Sequence, residues 1–473
     1  MFWDDIGALP CFGGSLWPDS SRTRGNYWRF EPMALVSVRT ADTAFIGGSG
    51  PVTHYVNDRK QARIAQEKGS FWKGQFLSDL RYRNFLVREV LDVDSRNKDD
   101  IDYRGKTDRA LAGRIAEAYC QIDWKYGFFR LGRLSRSWGP FPDRSLLLSS
   151  NAHSFDGLEF KVASSLFEFR HLFTAFPYDN SYIDAEGTPI NRYLTVHAFN
   201  LLLGRFGEIG VFESMLFSRG GGWPDLQLIN PFSLYTVINT NGEGAGNLMI
   251  GLQWDLHPFI QRLSFKGQVL LDDFQVDDKA PMDQEPTHWG ADVGVYVSDF
   301  LPVKKRHYVS LEYRYLSRWL YTVNPNDMQN GQRYTYLGRS LGAEGDDNDR
   351  MTASIFMAGN DRFAATCGIS FNRQGENSPW SRWKNISADS LAAPLALGYR
   401  TEPRFPSGIV ERTLDVFINI LGYYRNYADF SLRVDNRWIK NKNNVTAASY
   451  AYDPLLAFTV SLHYGNFFVR LPH

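Results

Sequence analysis

From Tyr27 onward the chain is a succession of segments in which apolar and polar residues alternate one for one, and that pattern restricts it to β-sheet. Ala118, Cys120, Ile122, Trp124 and Tyr126 alternate with Tyr119, Gln121, Asp123 and Lys125. Leu248, Ile250, Leu252 and Trp254 alternate with Asn247, Met249, Gly251 and Gln253. Phe363, Ala365, Cys367, Ile369 and Phe371 alternate with Ala364, Thr366, Gly368, Ser370 and Asn372. Successive side chains on a strand point to opposite faces, so each segment offers one face to an apolar medium and one to water. Most segments are ~8–11 residues long, enough to cross a bilayer as a tilted strand. No apolar run reaches the ~18 residues of a transmembrane helix.

So many long strands would present exposed edges unless the sheet closed on itself. The expected fold is therefore all-β: a single large antiparallel transmembrane β-barrel of about 16–18 strands with long external loops. Residues 1–26 read as an irregular lead-in and residues 27–473 as the barrel. Composition agrees, since aromatics make up 15% of a chain whose mean hydropathy is only −0.35, as suits strands with one wet face and aromatic ends. Leu194, Val196 and Ala198 read as the apolar face of one strand, and Leu146–Leu148 as the entry to another. Residues 92–109 look loop-like. The longer polar connections fall at 275–290, 323–350, 373–410 and 436–453, with a short helix expected over Ser387–Leu397.

Charge excludes some partners. The 52 basic and 52 acidic residues cancel, so no global field favours nucleic acid. Cys11, Cys120 and Cys367 are far apart and in no metal or disulfide spacing; Cys120 and Cys367 fall on apolar strand faces, as buried or lipid-facing thiols. Met1–Pro10 carries Asp4 and Asp5 and lacks the basic start and apolar core of a signal peptide.

Few constellations carry chemistry. His153 and Ser154 are adjacent, and neighbours on an extended strand point apart, so they make a poor base–nucleophile pair. The run Glu344–Asp349 is acidic and could hold an ion or sugar hydroxyls through Asp346, Asp347 and Asp349, but it lacks the EF-hand pattern and reads first as a solvated loop. Trp138, Trp223, Trp289, Trp319 and Trp380 could stack on sugar rings or form the aromatic girdle of a membrane barrel. Trp223, in Gly220-Gly221-Gly222-Trp223-Pro224, is the better binding candidate. No catalytic residue, metal site or cofactor is expected.

The stretch Arg130–Asn151 breaks a strand at Trp138-Gly139-Pro140 and carries Arg133 and Arg136. Leu131-Gly132-Arg133, Ser137-Trp138-Gly139-Pro140 and Ser145-Leu146-Leu147-Leu148-Ser149-Ser150-Asn151-Ala152 resemble the signature of the Wzi-like capsule-assembly outer-membrane proteins. Arg192-Tyr193-Leu194-Thr195-Val196-His197, Glu213 with Leu228-Ile229-Asn230-Pro231-Phe232, and Gly267-Gln268-Val269-Leu270-Leu271-Asp272-Asp273-Phe274 follow in the expected order. Leu311-Glu312-Tyr313, Tyr321-Thr322 and Tyr336-Leu337-Gly338-x-x-Leu341-Gly342 complete a series over roughly residues 110–350. Where the family has Trp-Trp-Gly-Pro-Gly, this chain has Ser137-Trp138-Gly139-Pro140-Phe141.

The resemblance implies a barrel of about eighteen strands in the bacterial outer membrane and a non-catalytic role in holding capsular or surface polysaccharide. Arg133, Arg136, Trp138, Trp223, Asp346, Asp347 and Asp349 are then the candidate glycan-binding residues. Expected partners are surface polysaccharide, outer-membrane lipid and other envelope proteins. The alternative is a porin, or a barrel subunit of a larger envelope complex.

Overall fold

The structure is a computed structural model. It describes residues 26–39, 53–56, 59–62, 69–95, 112–141, 144–177, 190–219, 223–242, 246–258, 262–273, 288–302, 306–323, 331–360, 362–377, 405–424, 427–464 and 467–470, with isolated positions between them. The lead-in up to residue 25, Cys11, Trp380 and the helix expected at 387–397 lie outside the described residues.

Eighteen strands close into one antiparallel barrel. In chain order they are β1 (Tyr27–Arg39), β2 (Gly69–Tyr82), β3 (Phe85–Asp94), β4 (Gly113–Trp124), β5 (Gly127–Leu134) and β6 (Phe155–Ala163). Next come β7 (Phe167–Phe176), β8 (Asn191–Leu202), β9 (Gly207–Arg219), β10 (Asn247–Leu256), β11 (Leu263–Asp273) and β12 (His288–Ser298). The ring is completed by β13 (His307–Leu316), β14 (Asn348–Asn360), β15 (Phe363–Gln374), β16 (Glu411–Tyr424), β17 (Ala428–Lys440) and β18 (Leu455–His463, continuing as Phe467–Arg470). Each strand pairs with its chain neighbours. β1 closes the seam against β18, with Met33 opposite His463 and Tyr27 opposite Arg470. Connections alternate: tight turns such as Arg83–Asn84 and Lys125–Tyr126 at one end, long excursions such as 135–154 and 317–347 at the other.

The outer face is apolar, with Val36, Phe76, Ile122, Leu131, Val211, Leu252, Leu311, Ile369 and Ile418 exposed on it. Aromatic rows mark both ends: Trp28, Tyr82, Phe85, Trp124 and Tyr424 near the tight turns, and Trp72, Trp289 and Trp438 near the long connections. Trp289 thus belongs to a girdle, packed 4.5 Å from Tyr315. The free thiols of Cys120 and Cys367 sit on this outer face.

The inner face has two characters. On β1–β5 it is ionic, with Asp79 paired to Arg29 and accepting from Arg88 Nε at 2.6 Å. On β7–β11 it is aliphatic, with Leu172, Leu194, Val196, Ala198, Phe212, Met249 and Leu270 buried in one cluster. Leu194, Val196 and Ala198 therefore face the lumen, opposite to what the alternation alone implied for a bilayer-facing strand, because long connections pack on them from inside. Two strands escaped the pattern. β3 mixes apolar and charged residues on its inner face, with Leu86 and Val90 buried beside Arg88, Asp92 and Asp94, and carries Glu89 on its outer one. β14 starts inside the expected 323–350 loop, its first residues Asn348, Asp349 and Arg350 being polar.

Candidate functional site

The long-connection end carries the elements that could meet a ligand, and most of them fold inward. Residues 135–154 do not form the expected strand at Leu146–Leu148. They tuck into the lumen, joined to themselves by one bridge, Trp138 N donating to Leu148 O at 2.9 Å. Gly139 has φ 145°, a conformation suited to glycine, and a Cβ there would strike the Ser145 hydroxyl. Leu146, Leu147 and Leu148 are fully buried against the aliphatic lumen wall.

Polar joints fix this plug. Ser145 Oγ and Leu146 N both donate to Gln268 Oε1, at 2.9 and 2.6 Å. Gln268 lies five residues in from the end of β11, so the plug reaches roughly 16 Å along the strand at ~3.3 Å per residue. Arg144 bridges Asp292 at 3.0 Å and Glu312 at 2.5 Å. Burial opposes its charge, but the two carboxylates outweigh burial and hold its pKa up.

A second connection, described at 317–323 and 331–347, packs inward and seals the first. Tyr321 N donates to Asp272 Oδ2 at 2.8 Å, and Tyr321 Oη donates to Leu146 O at 2.7 Å. Ser149 Oγ donates to Gly342 O at 2.5 Å, and Asn151 Nδ2 to Ser340 O at 2.9 Å. A Cβ on Gly342 would run into the Leu146 carbonyl. Arg192, from the inner face of β8, donates to the carbonyls of Gly331, Arg333 and Thr335 at 2.6–2.7 Å.

The seven candidate residues do not converge. Arg136 is buried and donates to Phe155 O at 2.6 Å and Gly132 O at 3.1 Å. Burial pulls its pKa down to about 10, partly offset by Glu159. Trp138 is buried in the plug core. Asp346 and Asp347 are fully buried, which corrects the solvated-loop reading. Asp347 accepts from Ser407 N at 2.9 Å, Ser407 Oγ at 2.5 Å and Asn377 N at 3.2 Å, stapling two long connections together. Among the described residues, no group of three or more His, Cys, Asp or Glu could hold a metal ion.

Arg133 shares a face with Leu131 and pairs with Asp156 at 2.5 Å on the outer rim, so it is not a lumen contact. Asp349 is also on the outer rim, accepting from Arg373 Nε at 2.8 Å and Tyr313 Oη at 2.9 Å. Trp223 is 91% exposed, at the start of a connection that runs down the outer wall.

Arg144 and Tyr334, which sequence reasoning did not single out, are central to the plug. A signal for the other joints was present. Arg192, Gln268, Asp272, Tyr321 and Gly342 all lie in the motifs of the resemblance, and each is a contact between barrel wall and plug or within the plug.

No family model matches the chain, and no curated protein matches it. Among solved structures it is similar to Wzi, an outer membrane protein involved in group 1 capsule assembly in Escherichia coli and described as a carbohydrate-binding β-barrel. The TM-score is 0.59 at 11% identity, covering 91% of this chain and 84% of that one. It also matches the outer membrane protein OprD from Pseudomonas aeruginosa, at TM-score 0.47 and 8% identity over 95% and 96% of the two chains. A BenF-like porin from Pseudomonas fluorescens matches at 0.45 and 7% over 94% and 98%. At these identities the likeness is one of fold: the closed barrel of bacterial outer-membrane proteins.

Proposed function

We propose that this chain sits in the bacterial outer membrane as a plugged, non-catalytic barrel that holds capsular or other surface polysaccharide at its long-connection end. The observation that carries the reading is the pair of inward connections pinned to the lumen wall through Gln268, Asp272, Arg144 and Arg192. A lumen filled to mid-strand by buried leucines suits a scaffold better than a diffusion path. The fold likeness to Wzi, described as a carbohydrate-binding barrel, points the same way.

In this reading the ligand meets the rim and the exposed long connections. Arg133, Trp223 and Arg373, the accessible member of its pair with the buried Asp349, would contact sugar directly, by stacking and charge-assisted hydrogen bonds. Arg136, Trp138, Asp346 and Asp347 would act by holding the loops in shape. The test joins two measurements on the purified protein: binding on an array of bacterial polysaccharides, and ion conductance in planar bilayers. Glycan binding with negligible conductance is expected. Steady conductance without glycan binding overturns the proposal in favour of a porin.

A further inference from the structure

The connection between β9 and β10 leaves the rim and lies along the outside of the barrel, where a loop is least expected. It contains two short helices, α1 (Leu226–Ile229) and α2 (Tyr235–Thr240). Leu228, Tyr235 and Ile238 are buried against Tyr193, Met215 and Phe217, with Phe173 and Leu248 packed beside them. The Phe232 ring stacks on Phe169 at 5.8 Å. Phe169 is two residues from the tight-turn end of β7, so this strap passes beyond mid-height of the wall.

Beneath the strap is a polar row on the outer face. His171, His197 and Glu213 stand opposite one another on β7, β8 and β9, each near the middle of its strand. His197 Nε2 and Glu213 Oε2 are 3.0 Å apart, and Thr195 Oγ1 lies 3.3 Å from His171 Nε2. The strap covers this row and supplies partners to Glu213 and Thr195. Tyr235 N donates to Glu213 Oε2 at 3.0 Å, Thr236 Oγ1 donates to Glu213 Oε1, and Tyr235 Oη bonds Thr195 Oγ1 at 2.7 Å. The Tyr235 ring stacks on His197 at 4.5 Å. A carboxylate on the lipid face at mid-height is unfavourable unless covered.

The strap's other side is bare and largely apolar, with Asn230 the exposed polar residue between the two helices and Thr240 and Asn241 at the returning end. Leu226, Phe232, Leu234 and Val237 are exposed, and no charged residue occurs between Asp225 and Glu243. An exposed connection in water is ordinarily polar. This one continues the apolar outer wall formed by Phe199, Val211, Ile250 and Leu252.

The geometry points to residues 226–242 as a re-entrant membrane element, whose outer side contacts lipid acyl chains while its inner side seals the His171–His197–Glu213 row from them. The inference rests on the barrel spanning a bilayer, and its occupant is hydrocarbon rather than a second copy of the chain.

The test uses the full chain with Cys11, Cys120 and Cys367 replaced by alanine, reconstituted in phosphatidylcholine vesicles. An environment-sensitive fluorophore is attached at Phe232→Cys on the strap, and separately at Ile250→Cys on the bare wall, with acyl-chain-brominated lipid as quencher. The expected result is blue-shifted emission at Phe232→Cys and a loss on bromination equal to that at Ile250→Cys. Quenching at Ile250→Cys without quenching at Phe232→Cys overturns the inference, whether the strap is then open to water or covered by another chain. Loss of quenching at both sites overturns the membrane reading itself, and the strap with it.

Discussion

Two connections leave the rim of this barrel and behave as mirror images. The plug at 135–154 goes inside and brings leucines to a lumen wall that is aliphatic on β7–β11. The strap at 226–242 goes outside and brings hydrogen-bond partners to a wall that is polar at His171, His197 and Glu213. Both meet the same three strands, β7, β8 and β9, from opposite sides. The usual barrel polarity, water within and lipid without, is inverted over one sector, and a dedicated cover makes each inversion tolerable. The difference between them is the currency of attachment. The plug is held mainly by burial with polar joints at its edges, whereas the strap is held by one carboxylate and an aromatic ledge.

That comparison can be broken by perturbing one cover and watching the other. Leu146→Asp places a carboxylate in the plug core and is expected to cost roughly 4 kcal/mol or more. It should raise bilayer conductance sharply while leaving lipid quenching at the strap unchanged. If the strap also releases, the two covers are not independent. Glu213→Ala strands Tyr235 N, Thr236 and His197, at about 2 kcal/mol. Thermal unfolding should fall and a label at position 232 should become accessible to aqueous quenchers, with conductance unaltered.

Asp346→Asn has the opposite sign. Burial, with Asp347 adding to it, raises the Asp346 pKa well above its ordinary value. The folded state therefore binds a proton that the unfolded chain releases, and stability falls as pH rises from about 4, the ordinary carboxylate value, through the raised one. The asparagine variant should be more stable than the parent at neutral pH and lose that slope, as read by urea unfolding across pH. Arg373→Ala should be the smallest effect, about 1 kcal/mol, because Arg373 is partly exposed and its buried partner Asp349 keeps the Tyr313 hydroxyl. Any drop in polysaccharide binding larger than that would mark a ligand contact rather than a structural one.

Much of the fold was legible because alternation is a direct readout of a strand with one apolar face. β10 and β15 begin at or near the first residue of the pattern and end at or near the last. The pattern fails where one face mixes characters or where both are covered. On β3, Leu86 and Val90 interrupt the charged inner row of Arg88, Asp92 and Asp94 while Glu89 interrupts the apolar outer one, and Leu194–Ala198 misled because hydropathy cannot tell lipid from a leucine plug. The triple leucine at 146–148 has the composition of a strand start, and it becomes a core only against the lumen wall and Tyr321, 175 residues from Leu146. Helices of four and six residues are too short to show a period, so the strap was invisible except through Glu213 and Leu228–Phe232. The candidate site was read least well. Arg136 and Trp138 sit in a diagnostic motif, but one diagnostic of how the plug is built, and strand parity sends Arg133 to the other side of the wall.

The joint between Asn151 and Ser340 spans 189 residues, and that between Ser149 and Gly342 spans 193. Neither can form while the sheet is an open ribbon, because β5–β6 and β13–β14 face each other only after it has curled. Contacts so distant in sequence are slow to find. The plug is therefore a late event in assembly, and its completion reports that the cylinder has rounded. A chain arrested before that stage would expose Leu146–Leu148 and the bare aliphatic sector together, a single sticky surface of the kind that quality-control factors recognise.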